Sequence, residues 1–199
     1  IKTTTGTVNA DIIADAGSTA QGGSIPVNGN VSATASNGLF TINNAKFNSP
    51  KSDLTATGQF DLRASNSNLH FALNSTDATE IERIFRSMGI APDAMHLLDS
   101  INGSFAGNMA FTGDLTGNTS DPTLDGRASF DTFLLNNKPI GSVTTAINVS
   151  PFGVRLTDGR LNELGGGNAT FDIVAPSGGV NNTTVQAKLT NINAGDLVA

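Results

Sequence analysis

Apolar and polar residues alternate along most of this chain. In Leu54-Thr-Ala-Thr-Gly-Gln-Phe-Asp-Leu-Arg-Ala the even positions are apolar or small, and the odd ones are Thr, Gln, Asp and Arg. Leu69-His-Phe-Ala-Leu follows the same rule, as do residues 105–111, 143–149, 169–175 and 185–189. Side chains two apart share one face of a strand, so each segment predicts a strand with one apolar and one wetted face. That pattern belongs to an antiparallel sheet covered on one side, and it makes the chain all-β. Clusters of Gly and Asn at 22–23, 37–38, 43–44, 136–137, 165–167 and 178–182 supply turns at hairpin spacing, enough for about a dozen strands.

One segment breaks the period of two. Ile81, Ile84, Phe85 and Met88 fall on one face of a helix. Asp77 caps it, Glu80 completes a capping box, and Gly89 ends it. Pro92 suits the first turn of a second short helix with Ala94, Leu97, Leu98 and Ile101 as its apolar stripe, and Gly103 returns the chain to strand. The pair is expected to cover one end of the sheet, where backbone groups would otherwise face water unpaired.

The chain also repeats itself. Leu73-Asn-Ser-Thr-Asp-Ala-Thr-Glu-Ile returns as Leu189-Thr-Asn-Ile-Asn-Ala-Gly-Asp-Leu. At similar separations Ile25-Pro-Val answers to Lys138-Pro-Ile, Gly38-Leu-Phe-Thr to Gly153-Val-Arg-Leu, and Gln59-Phe-Asp-Leu to Thr170-Phe-Asp-Ile. The expected division is a β-repeat at 1–76, partial at its start, a helical insertion at 77–102, and a second repeat at 103–199, truncated at its end. Starting at Ile1 without Met, and stopping where the first copy would enter its helix, the chain reads as a piece of a larger protein. Repetition on this scale points to an elongated array and away from a single catalytic pocket.

Composition narrows the function. The chain has 199 residues, 17 acidic against 11 basic, and no Cys, Trp or Tyr. Without clustered cations or stacking aromatics, nucleic acid is not an expected partner. Thiolate chemistry and disulfides are excluded, and the redox compartment stays open. The regular placement of Phe, Leu and Ile argues against disorder, although only 38% of residues are hydrophobic.

Candidate chemistry is sparse. His70 falls on a wetted strand face and His96 in the helical pair, and both read as surface histidines. No Gly-x-Ser-x-Gly motif is present, and a zinc site would need more ligands. Asp114, Asn118 and Asp121 could offer oxygens to calcium, but without the loop order or a bidentate Glu they read as an inter-strand turn. Gly165-Gly-Gly lacks the Lys-Ser/Thr of a phosphate loop and reads as a bend. Asn-x-Ser/Thr sequons such as those at Asn30 and Asn168 are expected by chance in so Asn- and Thr-rich a chain. The expectation is no enzyme, no metal and no cofactor.

What remains is the apolar face: Phe60, Leu62, Leu69, Phe71, Leu73, Phe105, Met109, Phe111, Phe130, Ile147, Phe171, Ile173, Val185 and Leu189. Alternation alone allows two interiors, the filled core of a sandwich or an open apolar surface.

The wording of residues 101–130 bears on that choice. Gly113, Leu115, Asp121-Pro122, Leu124 and Gly126 match a phrase repeated in the TamB/AsmA-like superfamily, which this stretch resembles. The helical interruption before it and the Leu-Thr-Asn-Ile-Asn-Ala-Gly-Asp-Leu phrase resemble that superfamily too, best over 69–199. The resemblance implies a long antiparallel sheet curled lengthwise into an open groove, a β-taco, with an apolar interior. It implies a periplasmic segment whose parent is anchored in the inner membrane of a diderm bacterium. It further implies phospholipid acyl chains as cargo between the two membranes, a role in outer-membrane biogenesis, and an Omp85-type partner for the parent.

The alternative is a structural or adhesive β-repeat module of a surface or autotransporter protein, although a solenoid of 20–30-residue rungs accommodates the helical pair poorly. A carbohydrate-binding sandwich is weakened by the lack of Trp and Tyr. Either an open groove or bare edge strands would favour self-association.

Overall fold

The computed structural model describes residues 5–16, 24–61, 67–88, 92–117, 121–177 and 182–192. Through them run eleven strands in one antiparallel sheet, each paired to its neighbours in the chain, and the sheet is not closed into a barrel. Ahead of the helices come β1 (Thr5–Ala16), β2 (Ile25–Ser36), β3 (Leu39–Asn48), β4 (Ser52–Asp61) and β5 (Ser67–Ser75). The helices are α1 (Ala78–Met88) and α2 (Pro92–Ser100). After them come β6 (Gly103–Gly117), β7 (Pro122–Leu135), β8 (Lys138–Ser150), β9 (Gly153–Glu163), β10 (Asn168–Pro176) and β11 (Thr184–Thr190). The all-β antiparallel architecture with a short helical pair is the one the alternation predicts.

Turn chemistry explains the tight reversals. Asn37-Gly38 and Asn136-Asn137 all have positive φ, as two-residue hairpin loops of the primed type require. Gly166, φ 94°, lies in the β9–β10 hairpin. Asn43-Asn44 is a correction, because it makes no turn. It lies within β3 between Ile42 and Ala45, whose partners Gly58 and Ala56 are only two apart on β4. Pairing continues on both sides of the two asparagines, so the strand absorbs the excess as a bulge. A similar slip in β9 places Thr157 and Asp158 between Leu156 and Gly159, which pair with Ile173 and Phe171. The predicted turn at 22–23, all of that at 178–182 but Asn182, and the helix end at Gly89 lie outside the described residues.

The helical pair is an insertion in a hairpin. β5 and β6 pair from Ser67↔Gly117 to Ser75↔Met109, so the sheet runs unbroken past 77–102. Asp77 caps α1 as expected, its Oδ1 accepting from the Thr79 N–H at 3.1 Å and the Thr79 hydroxyl at 2.6 Å. Glu80 departs from the capping-box expectation. It turns inward and accepts from the Ser49 hydroxyl (2.5 Å), the Ser52 hydroxyl (2.7 Å) and the Lys51 N–H (3.2 Å). The β3–β4 turn supplies those donors, while the Asp77 N–H is taken up by Ser75 Oγ at 3.0 Å. α2 ends at Ser100, which leaves Ile101 beyond its last turn and exposed.

Besides β5 and β6, α1 touches β1, and α2 touches β9 as well as β6. In a flat sheet β1 would lie about 24 Å from β6, at roughly 4.8 Å per strand. The sheet therefore bends around the helical pair.

Candidate functional site: the apolar face of the sheet

Register decides which side chains share a face. One row crosses the whole sheet: Ala10, Val31, Ala45, Ala56, Phe71, Gly113, Gly126, Ile147, Leu156, Ile173 and Val185, each a direct partner of the next. A second row runs from Val8 on β1 through Ala33, Ile42, Gly58, Leu69, Leu115, Leu124, Val149 and Val154 to Ala175 on β10. Every member of both rows is apolar or glycine. The opposite face is polar. One of its rows reads Thr57, His70, Asp114, Asp125, Asn148 and Arg155, with His70 Nδ1 and Asp114 Oδ1 2.9 Å apart and Asn148 donating to Asp125 at 2.6 Å.

All the residues singled out for the apolar face lie on it, except Leu62, which falls outside the described residues. Leu69 is buried outside the cluster under α1, and the structure separates the others into two groups. Leu73, Phe105, Met109, Phe111 and Phe130 pack under α1 against Ala78, Ile81, Ile84 and Phe85. There the Phe105 and Phe130 rings stack with centroids 3.8 Å apart. Phe60, Phe71, Ile147, Phe171 and Ile173 are only half-buried, while Val185 and Leu189 on β11 are 58% and 56% exposed.

Glycine shapes the floor. A Cβ added at Gly29 would lie 2.3 Å from the Phe47 ring, and one at Gly159 would lie 2.4 Å from Phe171. At Gly126 it would meet Phe111 at 2.6 Å. These rings lie down over neighbouring glycines, so a large apolar side chain adds little height to the surface.

At the helix end of the sheet two carboxylates are buried. Glu80 has the three donors described above. Glu163, 8% exposed, has no hydrogen-bond partner on either carboxylate oxygen among the described residues. It tucks against Gly165 and Gly167, where a Cβ on Gly167 would come within 2.4 Å of Oε2. Ion pairs hold the helices in place. Arg86 bridges Glu82 at 2.9 Å and Asp99 at 2.7 Å, joining α1 to α2, and Lys51 meets Asp77 at 2.8 Å. The ammonium hydrogen bond from Lys51, followed by the Thr79 hydroxyl, holds the Asp77 carboxyl below the usual range. The Arg86 guanidinium does the same for Asp99.

His70 and His96 are exposed. Asp114 sits on the polar face in mid-strand, Asp121 is exposed beside the start of β7, and Asn118 lies outside the described residues. No group of three or more His, Asp or Glu side chains among the described residues could hold a metal ion. No described helix is long and apolar enough to cross a membrane, which says nothing about spans made by strands. Sequence reasoning overlooked the β1–β3 contribution to the face, including Val8, Ile12, Phe40 and Phe47. Alternation was a usable signal only up to the β3 bulge, which switches the inward positions from even (Phe40, Ile42) to odd (Ala45, Phe47).

Comparison with protein-family models, with curated proteins and with solved structures yields no match in any of the three.

Proposed function

We propose that the apolar face is the floor of an open groove that carries phospholipid acyl chains. In this reading the chain is a periplasmic segment of a TamB/AsmA-like protein, passing lipid between inner and outer membrane in support of outer-membrane biogenesis. The observation that carries it is the apolar row from Ala10 to Val185, which no polar side chain interrupts on any of the eleven strands.

Two further features support it. Among the described residues no large side chain is less than 2% exposed, and no Phe is among the buried apolar residues. The filled core of a sandwich would bury its aromatics completely. In addition, rings lying over glycine leave a floor with few steps, which suits a sliding chain. Each methylene transferred from water contributes about 0.8 kcal/mol, so an acyl chain of about sixteen carbons gains on the order of 12 kcal/mol. A bilayer offers nearly the same, so a groove need only match it along its length. The recurrence of the bulge in β3 and β9, and of Ile-Pro and Lys-Pro at the starts of β2 and β8, supports modular extension of one surface.

The test has two arms. Native mass spectrometry of the purified chain should find phospholipid bound, and Phe71→Asp and Phe171→Arg should abolish the adducts while Ala at the same positions leaves them. In the full-length parent the two charged variants should block lipid delivery. Lipid carried normally by the charged variants would end the conduit reading. Absence of lipid from the wild-type chain would favour the structural or adhesive module.

A further inference from the structure

Carboxylates in the middle of the polar face meet side-chain donors. Asp114 has His70, Asp125 accepts from Asn148, and Asp131 accepts from Asn108 at 2.7 Å. Around the β9 bulge the pattern changes. Arg127 on β7, Arg160 on β9 and Lys188 on β11 line one open cleft of about 660 Å³, together with Thr170, Asp158 and Asp172. All three cations are exposed. Among the described residues none of them makes a hydrogen bond or an ion pair. The two carboxylates beside them stay unpaired with them, and Asp172 Oδ1 accepts the Asp158 N–H at 3.0 Å instead. Three of the 11 basic residues therefore gather, uncompensated, in one hollow of a chain whose net charge is −6.

Register says what such a cleft can hold. Arg160, Thr170 and Lys188 are direct partners across β9, β10 and β11. The two cations thus flank the Thr170 hydroxyl, each about 4.8 Å away along the sheet. Their side chains are long enough to meet above it, where an anion finds a guanidinium fork, an ammonium and a hydroxyl. A phosphate monoester carries nearly two negative charges near neutral pH, which matches two cations. Two residues along β10, Asp172 lies on the same face opposite the Thr157–Asp158 bulge. Carboxylates repel a bare anion but accept hydrogen bonds from hydroxyls. We infer that the cleft binds a phosphate monoester carried on a polyhydroxylated ring. The phosphate sits over Thr170 between Arg160 and Lys188, ring hydroxyls donate to Asp158 and Asp172, and Arg127 borders the site from β7. The cleft has the size of a small-molecule site, about 300–1,000 Å³. Free sugar phosphates and phosphorylated lipid headgroups share this chemistry. The site lies on the face opposite the apolar groove, and stands or falls apart from the reading above.

The probe is inositol monophosphate, titrated into the isotope-labelled chain at low salt, where charge contacts are least screened. Amide resonances of Arg160, Thr170 and Lys188 should shift and saturate with a Kd of about 1 mM or less, and unphosphorylated inositol should leave them in place. Arg160→Gln and Lys188→Gln should each weaken binding at least fivefold. Lys46→Gln, which removes an exposed cation of β3 outside the cleft, should leave it unchanged. Asp172→Asn keeps an oxygen for the Asp158 N–H. It should loosen inositol monophosphate and tighten inorganic phosphate, which has no ring to place. All four positions are exposed, so unchanged circular dichroism should accompany each variant. Phosphatidylcholine vesicles containing phosphatidylinositol phosphate separate the two sources. Flotation of the wild type but not of Arg160→Gln supports a membrane-borne headgroup at this site, and solution binding without flotation supports a free sugar phosphate. No saturable shift up to about 20 mM, or an equal loss in Lys46→Gln, would overturn the proposal. So would equal tightening of both phosphates by Asp172→Asn, the mark of bare charge attraction.

Discussion

The stretch of sheet under α1 and the stretch from β8 to β11 present the same kind of face and hold it differently. Beneath α1, Leu73 and Met109 are buried by Ile81 and its neighbours, Glu80 has three donors, and ion pairs anchor both helices. On β10 and β11 Phe171 and Ile173 are half-buried and Val185 and Leu189 exposed, although Val143 and Val154 on β8 and β9 are buried. Glu163 is buried with no partner among the described residues. One alternating pattern therefore gives a small aromatic-rich core under α1 and an exposed apolar surface at the β11 end. The first region is a packed core, and the second leaves apolar side chains accessible.

The largest test of that contrast compares two isoleucines. Ile81→Ala should cost about 3 kcal/mol in urea unfolding, because it leaves a cavity under α1. Ile173→Ala should cost about 1 kcal/mol, since the side chain is half-exposed already. Equal losses would mean that something covers β10 as fully as α1 covers β5 and β6.

The two buried glutamates give the next effect, of opposite signs. Glu80→Ala strips the Ser49 and Ser52 hydroxyls and the Lys51 N–H of their acceptor and should destabilise by about 2 kcal/mol. Glu163→Met replaces an unpartnered carboxylate with an apolar side chain of similar length and should stabilise by about 1 kcal/mol. A loss at Glu163 would show that its carboxylate has a partner in solution.

Acid should produce the smallest effect, confined to the helical side. The carboxyls of Asp77 and Asp99 are both held below their ordinary value, by Lys51 and Arg86 respectively. Their contribution is present above the unfolded value of about 4 and fades as pH falls through the lower folded values. Helical circular dichroism should weaken below about pH 4, and Asp77→Asn should shrink the change. An unaltered acid profile in that variant would remove Asp77 from the account.

Much of this fold was legible in advance, for specific reasons. Leu69-His-Phe-Ala-Leu and its relatives announce strands because a period of two has one structural meaning, and Ile81, Ile84 and Phe85 announce α1 because their spacing has another. Asn43-Asn44 misled, since asparagine pairs suit a bulge as well as a turn, and only pairing with β4 distinguishes them. Glu80 misled because its position fits a capping box, yet the β3–β4 turn brings it better donors from about thirty residues away. Phe47 went unseen because the bulge had reversed the parity of β3.

Local chemistry in the sequence thus determined the strands, the helical pair, the primed turns and the face to which most apolar side chains belong. These follow from steric and hydrogen-bonding preferences acting over a few residues. Only the tertiary structure decided how far the sheet bends, where α1 turns open surface into core, which rings lie over glycine, and which glutamate finds donors. Those outcomes depend on register between strands distant in the chain, and alternation is the same whether or not anything lies across the face it creates.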